Sequence, residues 1–227
     1  MNYKYIFFDF DGTVVDTING TRDSAIYALN KVGIDESNNP DIGRIFSGPP
    51  IKESFSKYDL TPEQIDQAAN YYREYQANNT IECNTVYEGI PELLKKLNES
   101  GKKCYIVTAK LETTARKILE YCGLAQYFEM IVGATPDGSR AKKTEILKYT
   151  ISTIENYSSD KAIMIGDRPS DIKAGIANGM DTIGVLYGMD VIENLQEAGA
   201  KYTVNTPLEM LDILDRNVLI NGHNEER

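Results

Sequence analysis

From residue 85 onward the chain repeats one phrase: an amphipathic stretch that stops at a glycine, a short polar link, then a short apolar run. Periodicity predicts helices over 91–100, 111–122, 142–155, 170–178, 191–198 and 208–216, with strands over 103–107, 129–132, 162–165, 182–186 and 202–204. Gly101, Gly123, Gly179 and Gly199 stand just past helix ends, where the backbone turns left-handed. Asp190 with Glu193 and Thr206 with Glu209 have capping-box spacing, and Pro207 suits a first helical turn. Strands alternating with helices of this length can return to one sheet only through right-handed crossovers. The expected fold class is therefore α/β, a doubly wound parallel sheet of Rossmann-like type covered on both faces.

Residues 17–82 break that rhythm and contain no clear strand. A helix is predicted over 17–32, closed by Gly33, and another from a capping box at Thr61 and Gln64 to about residue 79. Ser47, Gly48, Pro49 and Pro50 form a turn between them. This reads as an all-helical cap over 17–82, inserted into a catalytic core made of 1–16 and 83–227. At 227 residues with 41% hydrophobic content, the chain can supply a core for both parts.

The first apolar run, Tyr5, Ile6, Phe7 and Phe8, ends in Asp9-Phe10-Asp11-Gly12-Thr13. Two carboxylates this close repel, so a cation or a shared proton must make the arrangement tolerable. In open α/β sheets ligands bind at the carboxyl ends of the strands. Those ends bring together Asp9 and Asp11, then Thr108 and Ala109, then Lys142 and Lys143, then Gly166-Asp167-Arg168-Pro169-Ser170-Asp171. Four separate segments thus offer carboxylates, a hydroxyl and a lysine to one edge. That set suits phosphoryl transfer. Phosphate dianions repel an attacking carboxylate until a hard divalent cation neutralises them, and Mg2+ takes one or two carboxylates plus substrate oxygen and water. Lysine and backbone N–H groups at Gly12, Thr108 and Ala109 can hold the remaining phosphoryl oxygens.

Other chemistries are disfavoured. The net charge of −10 argues against a nucleic-acid partner. Cys83, Cys104 and Cys122 form no CxxC pair, which suits a reduced, cytoplasmic protein. No apolar stretch approaches a membrane span, and the first apolar run is too short for a signal peptide. The single histidine, His223, lies in a polar tail, so histidine catalysis and His/Cys zinc sites are not expected. Tyr71, Tyr72 and Tyr75 fall on helical spacing and read as packing, and Cys104 as core.

In the order DxDGT, strand-end threonine, lysine and GDxxxD, the chain resembles the haloacid dehalogenase superfamily, in its phosphatase branch with a helical cap. It is most similar there to phosphoglycolate-phosphatase-like proteins. The resemblance implies Asp9 as nucleophile, Asp11 as general acid/base, Thr108 and Lys143 on the phosphoryl group, and Mg2+ held by Asp9, Asp11 and Asp167 with Asp171 close behind. Lys142 stays open beside Lys143, because a Lys-Lys-Thr run stands where the family often has Lys-Pro. Arg44, Lys52 and the Gly48-Pro49-Pro50 turn are candidates for contact with the leaving group. The implied substrate is a small phosphorylated metabolite: phosphoglycolate first, with 5′-nucleotidase and inorganic pyrophosphatase activities as alternatives. A non-catalytic phosphate sensor on the same fold is the competing reading, disfavoured because a sensor has no use for Asp11 as a proton carrier.

Overall fold

The computed structural model describes residues 3–214. In chain order the elements are β1 (Tyr5–Phe8), β2 (Val15–Asp16), α1 (Ile18–Lys31), α2 (Ile42–Phe46), α3 (Ile51–Phe55), α4 (Pro62–Asn79), β3 (Thr85–Val86), α5 (Ile90–Glu99), β4 (Lys103–Leu111), α6 (Glu112–Tyr121), β5 (Met130–Ala134), α7 (Lys143–Ser152), β6 (Ala162–Gly166), α8 (Pro169–Ala177), β7 (Asp181–Val185), α9 (Ile192–Glu197), β8 (Tyr202–Val204) and α10 (Met210–Leu214). Six strands form one sheet in the order β5-β4-β1-β6-β7-β8, every pair parallel.

β1 lies inside the sheet, and all four of its residues are buried, as a strand covered on both faces requires. Its alternation sorts the core into two layers. Ile6 and Phe8 join Leu93 and Leu97 of α5, Ile118 and Leu119 of α6, and Met210 and Leu214 of α10. Tyr5 and Phe7 join Ile146 and Leu147 of α7 and Ala174 of α8 on the other face. The strand order runs outward from β1 in both directions, which makes the carboxyl end of β1 the topological switch point.

The helical insertion has an apolar cluster of its own, including Ala25 and Leu29 of α1, Phe46 of α2, Phe55 of α3, and Ala69 and Tyr72 of α4. It joins the core through an antiparallel ribbon that pairs Val15 with Val86 and Asp16 with Thr85. Tyr72 stacks on Phe46 at 6.2 Å between ring centroids, and Tyr75 on Tyr27 at 4.7 Å.

Several sequence expectations differ from the observed elements. The turn at Ser47–Pro50 is flanked by two five-residue helices, α2 and α3, too short for a period to show. β4 runs beyond the predicted end at 107, because after a register shift Leu111 pairs with Ala134. The capping box read at Asp190 and Glu193 does not form. Asp190 instead accepts from Val191 N at 3.0 Å and Asn194 Nδ2 at 2.6 Å, and α9 starts one residue later than read. The last helix opens with a 3₁₀ turn over Pro207–Glu209, in which Glu209 reaches Asn205 N at 2.8 Å. Arg216, the predicted end of that helix, and His223 lie outside the described residues.

Candidate active site

Asp9 sits where β1 stops pairing. Its N–H still donates to Ile165 O at 2.8 Å, and its carboxylate accepts from Phe10 N at 2.6 Å. The chain then turns at Gly12, with φ +83°, directly against Asp167. A β-carbon on Gly12 would stand 2.2 Å from Asp167 Oδ2, and one on Gly188 2.3 Å from Asp167 Cβ. Two glycines therefore let the backbone close around one carboxylate. Thr13 Oγ1 at 3.4 Å and Met189 N at 2.9 Å donate to Asp167.

The lysine comes from the first turn of α7. Glu145 accepts from Ala141 N at 3.3 Å and Lys142 N at 3.2 Å, which fixes the helix start. That start turns Lys143 inward and leaves Lys142 exposed. Lys143 Nζ donates to Asp9 Oδ1 and, at 3.1 Å, to Val107 O. It also lies 3.0 Å from Asp171 Oδ1, close enough for charge but out of line for a hydrogen bond, so that oxygen has no hydrogen-bond donor. Asp171 is held by Arg168 N, which donates to its Oδ2 at 3.0 Å.

Three buried carboxylates, Asp9, Asp167 and Asp171, thus offer oxygens within 4.8 Å of one another against one buried ammonium group. Burial, then the neighbouring Asp171, pushes Asp9 well above the usual carboxylate range; Lys143 opposes this. Burial and Asp171 likewise push Asp167 up to about 7. Ionised together, the three acids exceed what one lysine neutralises. An all-oxygen, net-negative, closely spaced donor set of this kind fits a hard divalent cation such as Mg2+.

Asp11, expected in the metal set, stands apart from these three acids. The Asp11 carboxylate lies outside this cluster, because Lys110 Nζ at 2.9 Å and Thr17 Oγ1 draw it away. Asp171 takes the third place, carried there by its position in the first turn of α8.

Asp9, Asp11, Thr108, Ala109, Lys110 and Lys143 line one side of a cavity of about 240 Å³ under the cap. The Thr108 hydroxyl accepts from Lys110 N at 3.1 Å. Lys52 lines the cap side but also pairs with Asp66 at 2.6 Å. Arg44, read as a candidate for leaving-group contact, is not among the residues that line this cavity. Its Nη1 donates to Met189 O at 3.4 Å, tying cap to core instead. Arg168 adds a second tie, donating to Arg44 O at 3.0 Å. Sequence reasoning missed Lys110, Tyr72 and Arg73 as cavity residues. The only signal for Lys110 was its position just past Thr108. Tyr72 and Arg73 carried none, because their place depends on how the cap sits on the core.

The family model described as Haloacid dehalogenase-like hydrolase matches residues 6–185. The chain belongs to that family. Among relatives of this haloacid dehalogenase-like hydrolase, a 5′-nucleotidase of Pseudomonas aeruginosa is 35% identical over 199 residues, 86% of this chain and 88% of that protein. A phosphoglycolate phosphatase of Aquifex aeolicus is 27% identical over 216 residues, 95% and 99% of the two chains. A crystal structure described as a predicted phosphatase from Clostridium acetobutylicum superposes with a TM-score of 0.86 at 37% identity, covering 97% of this chain and all of that one. The haloacid dehalogenase-like chain is an enzyme, a hydrolase of the phosphatase kind. Among the described residues no helix is long and apolar enough to cross a membrane.

Proposed function

We propose that the enzyme hydrolyses a small phosphomonoester with Mg2+ through an aspartyl-phosphate on Asp9, and that phosphoglycolate is the first substrate to try. The observation that carries this reading is the placement of Asp9: at the floor of the cavity, bound to Lys143, and one of three clustered acids. A carboxylate oxygen of Asp9 attacks phosphorus, and the bond from phosphorus to the leaving oxygen breaks. Asp11 gives that oxygen its proton. Water then attacks phosphorus, Asp11 takes the water's proton, and orthophosphate leaves with Asp9 restored. Lys143 and the Thr108 hydroxyl hold phosphoryl oxygens through both steps. Mg2+ held by Asp9, Asp167 and Asp171 would supply the charge that lets an anion approach a phosphate dianion.

The cavity of about 240 Å³ supports a small substrate, since pockets for drug-sized ligands run to roughly 300–1,000 Å³. A nucleoside monophosphate is the second reading. The apolar wall of Phe46, Tyr72 and Leu111 offers a base something to pack on, and the Pseudomonas relative is named for that substrate class. Three free cysteines, Cys83, Cys104 and Cys122, support a reducing, cytoplasmic setting. The test is steady-state turnover of phosphoglycolate, nucleoside monophosphates and pyrophosphate, with Mg2+ and with chelator. Mg2+-dependent release of phosphate is expected, and Asp9→Asn should abolish it. Tight binding without turnover across the panel would favour the sensor, and undiminished turnover by Asp9→Asn would remove Asp9 as nucleophile.

A further inference from the structure

Four cationic side chains line the cavity: Lys52, Arg73, Lys110 and Lys143. Lys143 meets Asp9 and Asp171, and Lys110 meets Asp11. Lys52 meets Asp66. Arg73 differs from the other three. Among the described residues no carboxylate lies within 4.0 Å of its guanidinium, and the hydrogen bond it makes is from Nη1 to Pro136 O at 3.4 Å. The acid that acts on it from further off is Asp66, which already neutralises Lys52. Two cap cations therefore share one cap carboxylate. Asp137 also borders the cavity, but its carboxylate closes its own turn by accepting from Ser139 N at 3.1 Å and Ser139 Oγ at 2.9 Å.

A second group in the same cavity is short of a partner. Ser47 is buried, 3% exposed, and its Oγ has no hydrogen-bond partner. It sits at the end of α2, beside the Gly48-Pro49-Pro50 turn, and faces the cavity with Arg73. A half-buried guanidinium with no carboxylate in contact and a buried hydroxyl with no partner are complementary to an anion with several acceptor oxygens. Both come from the cap, whereas Asp9, Thr108 and Lys143 come from the core. A ligand that reaches both walls presents its phosphoryl group to the core and its other end to the cap.

We propose that Arg73 is a specificity-determining residue that receives a carboxylate on the leaving group of the substrate, with the Ser47 hydroxyl as a second donor. This rests on the phosphomonoesterase reading and narrows its substrate to phosphorylated acids. A nucleoside monophosphate or a sugar phosphate has no second anion to satisfy this wall, and a site built for a polar group discriminates against the analogue that lacks it.

The experiment compares 2-phosphoglycolate with 2-hydroxyethyl phosphate, which replaces the carboxylate with an alcohol. Wild type, Arg73→Gln, Arg73→Lys and Ser47→Ala are assayed as full chains with Mg2+. Wild type should prefer phosphoglycolate. Arg73→Gln should lower the ratio of the two kcat/KM values by about 10- to 100-fold, carried mainly by KM for phosphoglycolate. Arg73→Lys should restore part of that ratio, and Ser47→Ala should lower it by a smaller factor. A ratio unchanged in Arg73→Gln, whether both substrates fall together or neither falls, overturns the proposal. So does a wild type that turns over the alcohol as well as the acid. Calorimetric titration of phosphoglycolate into wild type and Arg73→Gln separates this from the phosphatase reading. Binding that weakens in Arg73→Gln without any wild-type turnover sinks the hydrolytic reading alone; equal binding by both sinks the Arg73 subsite alone.

Discussion

Lys143 is the residue on which the site balances. Its ammonium group is buried among three buried carboxylates, so its removal takes the paired cation away from Asp9 and Asp171. Lys143→Met should abolish turnover and destabilise the metal-free protein by about 3–5 kcal/mol, read from urea unfolding. Lys142→Ala, at an exposed position one residue earlier, should stay within about 0.5 kcal/mol and keep its activity. The spacing to Glu145 favours Lys143 in sequence but leaves Lys142 open; the helix start fixed by Glu145 tells them apart. A second residue-scale prediction concerns Gly12. Alanine there meets both an unfavourable positive φ and the Asp167 carboxylate. Gly12→Ala should therefore weaken Mg2+ binding measured by calorimetry; affinity equal to wild type would show that the close approach does not matter. The thiols make a third. Burial pushes Cys104 up to about 12, while Cys83 is exposed. At pH 8 a thiol reagent should label Cys83 in the native protein and reach Cys104 only on unfolding.

Among the elements, α4 carries more of the proposed specificity than its sequence suggested. It presents Tyr72, Arg73 and Gln76 to the cavity, and its first turn is closed by a capping box: Gln64 N donates to Thr61 Oγ1 at 3.3 Å and Thr61 N to Gln64 Oε1 at 2.9 Å. Thr61→Ala should cost about 1 kcal/mol, with helical signal lost first from the cap as judged by hydrogen exchange along α4. Exchange unchanged in α4 would mean that packing against α1 holds the helix without its cap. The long elements were legible because amphipathic periods and terminal glycines accumulate over many residues. The short ones, α2, α3, β2 and β3, were not. At two to five residues each, they exist because the cap cluster and the ribbon register hold them, and no local period announces that.

For the molecule as a whole, the proposed metal would compete with protons for one cluster. Asp167 sits near 7 in the folded protein and near 4 in an unfolded chain. A carboxyl raised by folding binds its proton more tightly in the native state. Its stabilising contribution is therefore complete below about pH 4 and is lost as pH rises through about 7. Asp9, shifted in the same direction, adds to the effect. A divalent cation at the proposed site would replace the missing proton and bind the ionised cluster better than the protonated one. The rise in Tm on adding Mg2+ should be small at pH 5 and grow towards pH 8. A rise that shrinks with pH would contradict the buried cluster as the metal site.

The sequence by itself determined the α/β class, the parallel sheet and the convergence of Asp9, Asp11, Thr108, the Lys142-Lys143 pair and Asp167 on one edge. It could do so because strand ends in a parallel sheet all point the same way, whatever the packing details. Only the tertiary structure decided that Asp171 rather than Asp11 completes the acidic cluster, that Lys143 rather than Lys142 turns inward, and that Arg44 ties cap to core while Arg73 lines the cavity. Those choices depend on side-chain direction and on how two separately packed bodies meet. Both are set by contacts between residues far apart in the chain, which local pattern does not encode.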